Sequence, residues 1–162
     1  MAKNIFTTLF FLLIFLIGYF REAVFLVLNT VIHNYPFPYN AVYSKPPNFL
    51  YEISTSHLLL LKWVLTGAFS LLFMCFTMGL IHLYFKQRKY NKLVLWVYAL
   101  LLVVSGFITL LGLITGHFED VYTFSRFVVG LAQSPLTSLV LFVFIYFKSK
   151  TENTVNPSIP NE

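Results

Sequence analysis

Four long apolar stretches leave this chain few ways to fold. They cover about residues 5–32, 58–85, 93–115 and 122–147. Each is long enough for the roughly 20 residues a helix needs to cross a hydrocarbon layer about 30 Å thick. Inside such a layer a backbone polar group must bond within the protein, which favours helix. Composition agrees: 58% of the residues are hydrophobic and only 10% are charged, against about 25% charged in a soluble domain. The expected architecture is all-α: a polytopic membrane protein built as a four-helix transmembrane bundle. One domain covers residues 1–150, and no large soluble domain fits between the runs. The polar tail 151–162, with Pro157 and Pro160, is expected to be disordered.

The connections set an orientation. Lys3 precedes the first run, "KQRKYNK" (Lys86 to Lys92) joins the second and third, and Lys148 and Lys150 follow the fourth. With four spans all of these fall on one side, and "GHFED" (Gly116 to Asp120) falls on the other. The positive-inside rule then puts both termini in the cytoplasm, which for a bacterium means a multi-pass inner-membrane protein. The first run imitates a signal peptide, but no A-x-A-like site follows it, so a retained signal-anchor helix is expected. The net charge of +5 is topological on this reading and does not point to nucleic acid. The loop from Asn34 to Ser56 carries Pro36, Pro38, Pro46 and Pro47, so no regular helix is expected there. It is read as an interfacial cap over the bundle or as a partner-binding segment.

Charges inside the apolar runs need an explanation. Arg21 and Glu22 are adjacent within "LIFLIGYFREAVFLVLNTVI". At a rise of about 1.5 Å per residue, Arg21, Lys62 and Arg126 all come to lie about 6 Å below the outer boundary. Glu22 shares that layer, and Glu119 and Asp120 hang just above it. These six residues form a candidate outer-leaflet charge network. Polar and small residues line one stripe per helix: Gly18 and Glu22; Lys62, Thr66, Ser70 and Thr77; Ser105, Thr109, Gly112 and Gly116; Arg126, Gly130, Gln133 and Thr137. Such stripes favour helix contact in lipid. Glu22, on the Gly18 face, is therefore expected to point inward toward Lys62 and Arg126. Three readings stay open: cations that snorkel to the interface, a structural ion-pair network, or a site for an anionic group.

Other chemistry finds little support. The single cysteine, Cys75, sits deep in an apolar run and reads as a packing residue. His57 and His117 lie near helix ends and read as interfacial side chains, with no metal site or cofactor indicated. No nucleophile has a histidine at its own depth, so an intramembrane enzyme is not expected. Pro135 in "GLAQSPL" removes a helical hydrogen bond to the Leu131 carbonyl and should kink the fourth span, with Gln133 and Ser134 available to satisfy the freed carbonyl.

The segments "YFREAVF", "LKWVLTGAFSLL" and "YTFSRFVVGLAQSPL", with the four-span layout, resemble the exosortase F system-associated membrane proteins. The resemblance implies a basic-aromatic pair opening span two, a Ser two turns on, and an aromatic-Arg-Phe entry to span four followed by Pro-Leu. Lys62-Trp63, Ser70, Tyr122, Arg126-Phe127 and Pro135-Leu136 stand roughly in those places. Lys62 departs from the expected arginine, and Pro135 lies farther from Arg126 than in that pattern. The resemblance implies a non-catalytic accessory of a protein-sorting system.

Two functions are thus carried forward. One is an accessory or scaffold protein whose partners are membrane lipids and another membrane protein. The other is a protein, or transporter component, that binds a small molecule or an anionic lipid headgroup in the cationic layer. The topology has its own test. Cysteines introduced at Asn40 and Glu119 should react with an impermeant reagent added outside intact cells, and one at Lys89 should not. Outside labelling at Lys89 would end the four-span arrangement with a cytoplasmic N-terminus.

Overall fold

A computed structural model describes residues 2–35, 46–116 and 118–155, without the side chains of residues 2–4, 118–120, 122, 153 and 155. The described residues form helices α1 (Ala2–His33), α2 (Thr55–Phe85), α3 (Arg88–Thr115), α4 (Phe118–Ala132) and α5 (Pro135–Val155), with a short 3-10 helix at Asn48–Glu52. Three helices are long and apolar enough to span a membrane, and α4 with α5 makes a fourth span if the bent pair is taken together. Only 17% of the most apolar window of α1 and of α3, and 33% of that of α2, is buried inside the protein. The remaining apolar surface needs lipid to cover it. The chain is therefore read as a multi-pass membrane protein.

Helix α1 is continuous through Arg21 and Glu22 and ends in a Schellman turn. Asn34 takes the left-handed conformation at φ 51°, and the Tyr35 N–H reaches back to the Thr30 carbonyl at 3.1 Å. Two residues, Lys86 and Gln87, turn α2 into α3; Lys86 is left-handed and its N–H bonds the His82 carbonyl. Gly116 closes α3 at φ 74°, a conformation that glycine adopts without strain. Inside the proline-rich loop, where no regular helix was expected, Leu50 of the 3-10 helix packs with Leu28 and Leu58. Residues 36–45 of that loop, and His117, lie outside the described residues.

Span four is two helices rather than one. The axes of Thr123–Ala132 and Pro135–Glu152 differ by 54°. The break has clear local chemistry. Pro135 occupies the first helical position of α5, where its missing N–H costs nothing. Ser134 caps that helix: its Oγ accepts the Leu136 N–H at 3.1 Å. The Leu131 carbonyl, which Pro135 cannot serve, accepts the Ser134 N–H at 3.1 Å and the Thr137 hydroxyl at 2.7 Å. The expectation that the Gln133 side chain would satisfy it is thus corrected. Gly18 of α1 lies directly under the break: a Cβ there would stand 2.7 Å from Pro135 Cγ.

Two apolar clusters bracket the bundle. Ile14, Phe73, Leu80, Ile81, Val94, Tyr98, Ala132 and Ile145 belong to the larger one, toward the α2–α3 turn. Leu28, Leu50 and Leu58 form the smaller one at the Thr55 end. Within the larger, Thr77, Tyr98 and Ser138 bring three hydroxyls together from α2, α3 and α5. Thr77 donates its one proton to the Phe73 carbonyl at 2.7 Å, so its lone pairs accept from Ser138 at 2.6 Å and Tyr98 at 3.0 Å. Cys75 does not pack inside as expected; it is exposed on the outer face of α2, because Phe73 and Thr77 occupy the inward positions beside it. Nor is the start of the tail irregular. Helix α5 runs on to Val155, and Glu152 is paired with Lys89 and accepts the Tyr90 hydroxyl at 2.9 Å.

The hydroxyl cluster predicts an order of stabilities. Thr77→Val takes the shared acceptor from Ser138 and Tyr98, leaving them only their weak mutual contact at 3.5 Å, and should cost about 1–2 kcal/mol, more than Tyr98→Phe, which removes one donor cleanly. Unfolding of the purified variants in mixed micelles measures both, and equal losses would contradict the assignment of Thr77 as the shared acceptor.

Candidate functional site

The polar layer lies between the two apolar clusters, and Gln133 is at its centre. Freed from helical geometry by the break, Gln133 is buried and reaches two other helices. Its Oε1 accepts the Arg21 Nε–H at 3.0 Å. Its Nε2 donates to the Thr66 carbonyl at 2.7 Å and to Ser70 Oγ at 3.0 Å. The amide orientation follows from these partners, since a guanidinium only donates and a carbonyl only accepts.

Arg21, not Glu22, turns into the bundle. The Arg21 side chain is 21% exposed and that of Glu22 is 67% exposed. This corrects the expectation drawn from the Gly18 face. Among the inward residues of α1 are Ile14, Gly18, Phe25 and Leu28, alternating steps of four and three with room for Arg21 between. At about 100° per residue, Arg21 lies about 20° from the centre of that stripe and Glu22 about 80° from it. Glu22 stays at the rim, where its Oε1 accepts from Arg21 Nη1 at 3.2 Å. The guanidinium also lies over the Phe25 ring, 5.0 Å from its centroid.

Lys62 is the most buried charge of the layer, at 7% exposure. Among the described residues its ammonium has one hydrogen-bond partner, the neutral Asn29 Oδ1 at 2.7 Å. Two of its three donors remain for something else. Arg126 is exposed, and its charge acts on both Arg21 and Lys62. The three cations line one cavity of about 80 Å³, together with Phe25, Trp63, Thr66, Ser105, Ser125, Val129 and Gln133. Glu22 is not among its walls; against expectation its carboxylate is largely exposed and paired with Arg21 rather than buried beside Lys62. The side chains of Glu119 and Asp120, the other acids of the expected network, lie outside the described residues.

Helices α3 and α4 carry the far wall. Ser125 Oγ donates to the Ser105 carbonyl at 2.8 Å, and Thr109 Oγ1 lies 2.6 Å from Ser125 Oγ. Gly112 is buried on the same face of α3, while Gly116 is exposed. His57 bonds Ser54 at 2.6 Å through Nδ1, remote from the cavity walls. Among the described residues no group of three His, Cys, Asp or Glu side chains could hold a metal ion.

Sequence reasoning placed the cations at one depth but missed Gln133 and Asn29 as their partners. The signal for Gln133 was present: a buried amide two residues before a proline has no regular helix to serve. The geometry defines a polytopic all-α membrane protein with a small cationic cavity near one end of its bundle. The chain matches no protein-family model, no curated protein and no solved structure, and the exosortase F resemblance rests on its quoted motifs alone.

Gln133→Leu should destabilise the protein by about 1–3 kcal/mol, since it leaves the Arg21 Nε–H buried without an acceptor. Glu22→Gln should cost much less, because that side chain is largely exposed. Denaturation of both variants in detergent measures the ranking, and the reverse order would contradict the placement of Gln133 at the centre.

Proposed function

We propose that the protein is a non-catalytic membrane protein that binds an anionic group of the phosphate, sulfate or carboxylate kind. One observation carries this reading: three cations from three helices line a single small cavity, and the most buried of them has, among the described residues, a neutral hydrogen-bond partner and no other. Like charges gathered away from bulk water raise each other's energy. A bound anion relieves that cost, and a volume of about 80 Å³ has room for a small oxyanion or several waters. The described walls hold no carboxylate, cysteine or histidine, and their serines are engaged with each other and with Thr109. Binding is therefore favoured over chemistry.

By the positive-inside argument the cavity belongs to the outer leaflet. The accessory role that the exosortase F resemblance implies is a setting in which such binding would operate, and it adds no residue to the site.

Thermal unfolding in an uncharged detergent tests the reading. At constant ionic strength, replacing chloride by phosphate or sulfate should raise the midpoint of the native protein progressively, by mass action. Lys62→Met should abolish the rise. Equal midpoints in chloride, phosphate and sulfate would remove the proposal.

A further inference from the structure

A second hollow adjoins the first. It lies between α1 and the break in span four, has a volume of about 440 Å³, and opens outward. Its apolar walls include Phe15, Tyr19, Phe127 and Leu131, and its floor is the contact of Gly18 with Pro135. A volume of this size is within the roughly 300–1,000 Å³ typical of small-molecule sites. Arg21 and Gln133 belong to the walls of both hollows. One end of the groove is therefore cationic and the rest is greasy, at a depth where the surrounding solvent is lipid.

We infer that the anion is the headgroup of a phospholipid, with its phosphate held at Arg21 and one acyl chain lying in the groove between α1 and the α4–α5 break. This rests on the anion-binding reading and gives it a ligand class. Three features favour a lipid over a free oxyanion. The apolar groove adjoins the cationic cavity, with Arg21 and Gln133 in the walls of both. It opens to the lipid-facing side of the bundle, where acyl chains are always at hand. And the N-terminus of α5, the other feature that would hold a free anion, is already capped: Ser134 serves the Leu136 N–H, Pro135 has none, and the Thr137 N–H bonds the Ser134 carbonyl at 3.2 Å. Glu22 is the one carboxylate among the described groove walls. It is held by Arg21 at the rim, so it offsets part of the local charge there and leaves the Lys62 ammonium to the phosphate side.

Gly130 supplies the test. It lines the groove, does not line the cation cavity, and a Cβ placed on it meets nothing within 4 Å. A larger side chain there obstructs the acyl chain and leaves the phosphate site intact. Helix propensity favours the change as well.

The experiment is native mass spectrometry of the full chain, purified in a maltoside detergent. The probes are phosphatidylglycerol, a neutral glycolipid of the same chains, and glycerol phosphate. Phosphatidylglycerol should be retained and the glycolipid lost. Gly130→Leu should weaken phosphatidylglycerol at least about tenfold, with Gly130→Ala between it and the native chain, while glycerol phosphate binds all three alike. Lys62→Met should weaken both phosphate probes. If glycerol phosphate binds but Gly130→Leu leaves phosphatidylglycerol unchanged, the lipid inference falls and anion binding stands. If Lys62→Met retains phosphatidylglycerol as well as the native chain does, the lipid is annular and both readings fall.

Discussion

The organisation of this bundle depends on how a broken helix is satisfied where water is scarce. Pro135 removes one hydrogen bond from span four, and in lipid the orphaned groups cannot turn to solvent. The chain meets this with its own residues: Ser134 caps one half-helix, and Thr137 closes the carbonyl of the other. Gln133 then needs neither helix for its side chain. It bonds α1 through Arg21 and α2 through Thr66 and Ser70. A glycine at position 18 lets α1 approach the proline closely enough for that reach, since any Cβ there would collide with the ring. The break, the close approach and the inward arginine are one arrangement.

Much of this was legible in the sequence, and the limits are instructive. Apolar length identified α1, α2 and α3 and the region of α4 and α5, because lipid imposes a length that soluble cores do not. Pro135 marked the break because its effect is covalent and local. The choice between Arg21 and Glu22 was not local. Gly18 and Glu22 share a face over one turn, but a stripe extended from Ile14 to Leu28 drifts, and only its full length shows that Arg21 is nearer the centre. Partners such as Asn29, eight residues along α1 from Arg21, depend on how two helices are offset, which no single-helix pattern contains. Cys75 shows the converse error: depth in an apolar run says nothing about which side of a lipid-immersed helix a residue takes.

The smaller apolar cluster bears on how the cationic layer is arranged. Simple snorkelling would carry Lys62 past Leu58 toward the Thr55 end. Lys62 does reach that way, as far as Asn29, but there Asn29 adjoins Leu28 of the Leu28, Leu50 and Leu58 cluster, and the side chain ends buried. A long flexible side chain with an exit nearby, yet held inside, needs local compensation. Asn29 provides a dipole but not a charge. Glu22 provides a charge, but to Arg21 at the rim.

The same architecture argues against passage. Below Gln133 and Ser70 the next turn of α2 presents Phe73, fully buried in a cluster with Ile14, Leu80, Val94 and Ala132. The hydroxyls of Thr77, Tyr98 and Ser138 lie beyond that seal and satisfy each other and the Phe73 carbonyl, so they offer no free groups to a solute. Among the described residues, a translocated ion would have to cross the apolar layer around Phe73, at a cost that transporters avoid by placing their broken helices around an open midplane site. Here the break serves a hollow closed toward the α2–α3 turn and open toward lipid on one flank. That geometry suits the proposed ligand, which would enter sideways from the bilayer and leave the same way.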